Sequence, residues 1–138
     1  MAQKKTVMVF GSFDVLHPGH LNLFRQAKKL GGELIVVIAR DTTIEQIKKK
    51  KPVFPEKTRK QNLLSSLYSS RVVLGNKKNK HQVILQYKPD VIALGYDQTH
   101  FVQGLRELIQ QNKLHTTIIR LKPYRKDIYK STKLAKGQ

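Results

Sequence analysis

Short runs of apolar and β-branched residues recur along this chain, and each gives way to a stretch with a different hydrophobic period. Thr6 to Phe10 ends at Gly11 and reads as a buried strand feeding a tight loop. From Gly19 to Leu30 the apolar residues Leu21, Leu23, Phe24, Ala27 and Leu30 follow helical spacing, which Gly31 and Gly32 bring to an end. Leu34 to Ala39 is continuously apolar, as expected of a parallel strand covered on both faces. Further strands are predicted at Arg71 to Leu74, Val91 to Leu94 and His115 to Leu121. Helices are predicted at Pro55 to about Tyr68, Lys80 to Gln86 and Phe101 to Asn112, with a short polar helix after Asp41 and a helix start at Ser131. Alternation of this kind predicts the α/β class: an open, mostly parallel five-stranded sheet with helices on both faces and right-handed crossovers.

In such sheets ligands bind beyond the carboxyl ends of the strands, near the reversal of strand order. The residues that follow the first, second and fourth strands are Gly11 to His20, Arg40-Asp41 and Gly95 to Gln98, so the polar groups gather on that edge. The 138 residues suit one domain, 1–138, with a basic C-terminal segment at 122–138. With no cysteine, disulfides, thiolate metal sites and cysteine nucleophiles are all excluded. No apolar run approaches the ~18 residues that span a bilayer and no apolar signal core precedes Val7, so a cytoplasmic, non-membrane protein is expected. A net charge of +18 attracts phosphate-rich small molecules and nucleic acids alike and does not choose between them.

The loop that joins the first strand to the first helix carries chemistry. It reads Gly11-Ser12-Phe13-Asp14-Val15-Leu16-His17-Pro18-Gly19-His20. Gly11 lets the chain turn, Pro18 suits the first turn of a helix, and Gly19 allows a ligand close to the backbone. His17 and His20 are three apart, so both imidazoles can face one pocket across a loop-to-helix junction. A helix N-terminus there is expected to add free N–H donors and a partial positive charge, both favourable to phosphate. The reaction that fits is in-line attack on an α-phosphate with pyrophosphate leaving, in which positioning and charge stabilisation supply most of the acceleration.

The segment Gly11 to His20 resembles the signature of the cytidylyltransferase-like nucleotidyltransferases, in which two histidines of a His-x-Gly-His element bind the triphosphate. The likeness continues through Leu30 to Val37, Lys51-Pro52, Pro55 to Arg59 and Pro89 to Gly95. It implies a Rossmann-like fold, a homodimer, an NTP (ATP or CTP) and a phosphorylated small-molecule acceptor as substrates, and catalytic His17 and His20. By the same resemblance one lysine of the 48–51 run, Lys51, reaches the phosphates, and Arg59 holds phosphate with its fork. A second family signature is matched in part by Tyr124 to Lys133. It implies that Arg125, or Lys126 in its place, contacts the nucleotide together with Ser131 and Thr132, the last two from a helix start. Ala39-Arg40-Asp41, Leu74-Gly75-Asn76 and Gly95 to Thr99 are most similar to the archaeal-type FAD synthases, which move AMP from ATP to FMN. Next in resemblance come the glycerol-3-phosphate cytidylyltransferases.

Around this core, Gly11, Ser12, Phe13, Gly19, Gly95 and Asp97 are candidate nucleotide contacts. Asp14 is a candidate for placing Mg²⁺ or the acceptor, with a turn-stabilising role as its alternative. Asp97 is set either toward ribose or base or as a helix cap. Mg²⁺, or another divalent ion bridging phosphate oxygens, is the expected cofactor. Two readings of other classes stay open: a basic nucleic-acid-binding domain, resting on charge, and a catalytically inactive nucleotide sensor.

Overall fold

In a computed structural model, residues 5–66, 71–79, 81–99 and 102–123 are described. Five strands alternate with helices. They are β1 (Thr6–Gly11), α1 (Pro18–Lys29), β2 (Glu33–Ile38), α2 (Asp41–Lys48), α3 (Glu56–Ser66), β3 (Arg71–Leu74), α4 (Gln82–Tyr87), β4 (Val91–Leu94), α5 (Leu105–Gln111) and β5 (Thr117–Arg120). The strands form one parallel sheet in the order β3-β2-β1-β4-β5. The chain therefore runs outward from β1 in one direction, then returns to β1 and runs outward in the other.

Crossovers of a single hand must fall on opposite faces when the direction of travel reverses. The side chains divide accordingly. Val7, Val9, Leu34, Val36 and Ile38 point to one face and meet Phe24 and Ala27 of α1 and Leu63 of α3. Met8, Phe10, Ile35 and Val37 point to the other and meet Val83 and Ile84 of α4 and Leu105 of α5. The period-two alternation of a strand thus feeds two cores. It explains why β1 and β2 are apolar at consecutive positions, Val7 to Phe10 and Leu34 to Ile38, instead of every second one.

Most predicted elements lie where the periodicity put them, and the differences are local. The helix expected from Phe101 starts at Leu105, because Gly104 takes φ 80°, a left-handed conformation that a continuing helix does not admit. The last strand is trimmed to Thr117–Arg120, the residues that pair with Val91–Leu94. The helix start expected at Ser131 lies outside the described residues.

Gly31 closes the turn from α1 into β2 against the backbone of residue 5. A Cβ there would stand 2.5 Å from the carbonyl oxygen of Lys5, an atom that cannot move aside cheaply. At Gly75, after β3, the nearest atom to such a Cβ is 3.5 Å away, an ordinary contact. Gly31→Ala is therefore expected to cost about 1–3 kcal/mol of stability and Gly75→Ala well under 1. Denaturant midpoints of the two variants check this, and equal midpoints would contradict it.

Candidate active site

β2 flanks β1 on one side and β4 flanks it on the other, so the reversal of strand order lies at the carboxyl end of β1. A cavity of about 600 Å³ opens there. Gly11, Ser12, Phe13, His17, Gly19 and His20 line it from the β1–α1 loop, and Gly95 and Asp97 line it from the end of β4. The structure thus brings together eight of the predicted site residues.

His17 caps α1. Its Nδ1 accepts the N–H of Gly19 at 3.1 Å, which makes Nδ1 the acceptor and places the ring proton on Nε2. The expected free N–H donors of the helix N-terminus are not found. Pro18 has none, Gly19 donates to His17 Nδ1, and His20 N–H donates to the His17 carbonyl at 3.0 Å. The helix start itself therefore offers a phosphate its field and its side chains, with the N–H groups of Gly19 and His20 already engaged. The His17 and His20 rings stack, with centroids 3.8 Å apart and planes 29° from parallel. Burial lowers the pKa of His17. For His20, burial first and then the charges on His17 and Lys48 bring it from 6.5 down to about 3. Both rings are neutral at pH 7, and His20 Nδ1 is buried with no hydrogen-bond partner.

His20 is held from below by Phe13. That residue has φ 47°, in the left-handed region where a bulky side chain is strained. Its ring is buried, meets His20 edge-on at 5.4 Å and tilts against Phe24 at 5.0 Å. Gly11 makes room for it: a Cβ on Gly11 would stand 2.8 Å from the Phe13 ring. Packing against three neighbours offsets the backbone strain and fixes the imidazole face.

Three of the predicted residues lie apart from this lining. Arg59 does not turn its fork to the cavity. It is fully buried, donating to the carbonyls of Phe54 (3.0 Å), Ser12 (3.0 Å) and Ala39 (2.8 Å) and to Asp41 Oδ1 (2.7 Å). Asp14 accepts the N–H groups of Val53 at 2.6 Å and Phe54 at 2.8 Å, so both carboxylate oxygens hold backbone. Lys51 is exposed and does not line the cavity; Lys48, at the end of α2, does. Arg125, Ser131 and Thr132 lie outside the described residues. Leu121 and Lys122, which precede them in the chain, line the cavity.

Sequence reading put Asp41 and Gln98 on this edge but missed their partners, and it missed Gln26. Asp41 and Glu56 cap each other's helices, with Asp41 N–H on Glu56 Oε1 (3.0 Å) and Glu56 N–H on Asp41 Oδ2 (3.2 Å). Desolvation raises the Asp41 carboxyl pKa, but the Arg59 hydrogen bond, the Glu56 backbone and the Arg59 and Arg40 charges outweigh it and lower it. Gln98 ties the ends of β1 and β4, accepting from Gly95 N–H at 3.1 Å and donating to the Phe10 carbonyl at 3.2 Å. Gln26 pairs with both backbone groups of Lys122. Its spacing from Asn22, four residues back on one helical face, was the available signal. Among the described residues, no three His, Asp or Glu side chains converge to hold a metal. Nor is any helix among them long and apolar enough to cross a membrane.

Comparison with known proteins agrees with this geometry. The chain matches the Cytidylyltransferase-like family over residues 8–137. A protein named FAD synthase from Aciduliprofundum boonei is 41% identical over 118 residues, spanning 86% of this chain and 78% of that one. Another of that name from Archaeoglobus fulgidus is 38% identical over 115 residues, 83% of this chain and 82% of its own. The crystal structure of a protein described as a lipopolysaccharide core biosynthesis protein, from Thermoplasma volcanium, has a TM-score of 0.79 at 37% identity. It covers 88% of this chain and 99% of that one.

The lowered imidazole pKa has a consequence for stability. The unfolded chain takes up a proton at the ordinary 6.5 while folded His20 resists until about 3, so stability is present above pH 6.5 and is lost as pH falls through that window. The Asp41 contribution is lost only below the ordinary carboxylate value of 3.8. The melting temperature is therefore expected to fall between about pH 7 and pH 4, with a shallower slope in His20→Gln. Identical slopes in the two proteins would contradict a neutral, buried His20.

Proposed function

The chain belongs to the cytidylyltransferase-like family, and from that premise we propose that it is an FAD synthase-like nucleotidyltransferase, moving AMP from ATP to FMN with release of pyrophosphate. The observation that carries the reading is the stacked, neutral His17–His20 pair at the start of α1, inside the cavity at the reversal of strand order.

A neutral imidazole is both a hydrogen-bond donor and a ring that gains basicity as negative charge approaches. An α-phosphate placed against the pair meets donors whose attraction strengthens as charge builds on its oxygens. A phosphate oxygen of the acceptor attacks the α-phosphorus. The bond from that phosphorus to the β-bridging oxygen breaks, and pyrophosphate leaves with the electron pair. Lys48, at the cavity wall, offsets charge on the departing group. In this reading Lys51, Arg125, Ser131 and Thr132 also contact the nucleotide, as the family resemblance implies. Among the described residues no cluster of side chains offers a seat for a resident Mg²⁺. The divalent ion is assigned to the nucleotide and enters as part of the substrate.

The acceptor is chosen on shape. Leu23, Ile44 and Ile47 give the cavity apolar walls, against which a flat isoalloxazine buries far more area than glycerol does. Support for flavin as acceptor also comes from the two relatives named FAD synthase. A homodimer and a cytoplasmic setting belong to the same proposal, the first implied by family resemblance.

Turnover of each NTP with FMN, glycerol 3-phosphate or phosphocholine, read by pyrophosphate release in Mg²⁺, tests the proposal. ATP with FMN is expected to be fastest and to stop in excess chelator. CTP with glycerol 3-phosphate as the fastest pair would replace the flavin reading, and RNA binding without turnover of any NTP would replace the enzyme. His17→Ala and His20→Ala are each expected to lower kcat/KM by about 10²–10³ with the fold retained. Near-normal turnover in both would remove the pair from the mechanism.

A further inference from the structure

Four consecutive lysines, 48–51, of which Lys48 lines the cavity, lead into Pro52, Val53 and Phe54. Adjacent like charges repel one another, and Val53 is 70% exposed, so burial of its side chain does not fix this segment. Its backbone is held instead from the β1–α1 loop. Asp14 accepts the N–H groups of Val53 and Phe54, and Arg59 donates to the Phe54 carbonyl while also reaching the carbonyl of Ser12, two residues before Asp14. Phe54 is thus gripped by both its backbone groups, and one loop carries the catalytic histidines while it anchors the lysines.

We propose that Asp14 is a positioning residue: its carboxylate latches the segment 48–54 to the β1–α1 loop and so holds the lysine run, whose first member Lys48 lines the cavity, for the NTP phosphates. The kinetic part rests on the nucleotidyltransferase reading; the latch does not. A carboxylate that served instead as a metal ligand would leave the mobility of 48–54 unaffected by its replacement.

Asp14→Asn keeps the size of the side chain but turns one of its two acceptors into a donor facing a backbone N–H. In the ligand-free protein, tryptic cleavage within residues 48–51 is expected to quicken about tenfold at an unchanged global melting temperature, as for loss of one charge-assisted contact at a local opening. Val53→Pro deletes the other end of one latch bond, since proline lacks the N–H. It is expected to give the same acceleration, with little added in the double variant, because the two changes remove one interaction. In turnover, the KM for NTP is expected to rise about tenfold in Asp14→Asn. The Mg²⁺ concentration for half-maximal rate, at saturating NTP, stays where it is. Unchanged cleavage in both single variants overturns the latch. So does a shifted Mg²⁺ requirement with unchanged cleavage, which assigns Asp14 to the metal. If no NTP is turned over, the functional reading fails and cleavage still decides the latch. If Asp14→Asn does not fold, Val53→Pro decides it alone.

Discussion

A fully buried guanidinium organises the carboxyl edge of this sheet. Arg59 reaches the carbonyls of Ser12, after β1, and Ala39, after β2, and the carbonyl of Phe54 before α3, while its charge is balanced by Asp41 at the start of α2. A charge taken from water costs several kcal/mol unless its donors find partners, and here four bonds supply them. Removing the side chain would leave three carbonyls and a carboxylate short of donors, a loss on the order of 3–5 kcal/mol. Nothing else among the described hydrogen bonds joins so many of the segments that frame the cavity. The price of this arrangement is a cation withdrawn from substrate binding.

In the proposed function, that framework leaves the chemistry to two neutral imidazoles. Stacked cations 3.8 Å apart would repel strongly in a buried setting, so burial and mutual proximity both favour the uncharged form. The arrangement suits a site that must first accept a polyanion and then respond to charge growing on it. Phe13, strained at its backbone and packed over the bare Cα of Gly11, carries the geometry. In it, local backbone preference is sacrificed at the place where function needs a fixed ring face.

The sheet was legible in the sequence because the middles of its strands are continuously apolar, and its histidine loop because the ten residues Gly11 to His20 together resemble a family signature. The contacts between loops were not. Asp41 and Glu56 cap each other across fifteen residues, and Asp14 meets Val53 across thirty-nine. No local pattern announces such pairs, since a carboxylate in a turn reads the same whether it holds its own loop or another. Arg59 was misread for a related reason. An arginine near a phosphate-binding loop can face ligand or backbone, and only the burial of its surroundings separates the two. Among four identical lysines, position along the chain did not reveal that Lys48 alone lines the cavity.

The central claim is that the stacked His17 and His20 rings are the seat of the nucleotide triphosphate. Nitrogen-15 NMR of the imidazoles, recorded at pH 7 with and without a non-hydrolysable ATP analogue and Mg²⁺, addresses it most directly. The account predicts that both rings are neutral in the free protein, with the His17 proton on Nε2. It also predicts that both sets of ring nitrogens shift toward the protonated range when the analogue binds. Saturable nucleotide binding that leaves the His17 and His20 nitrogens unmoved would contradict it.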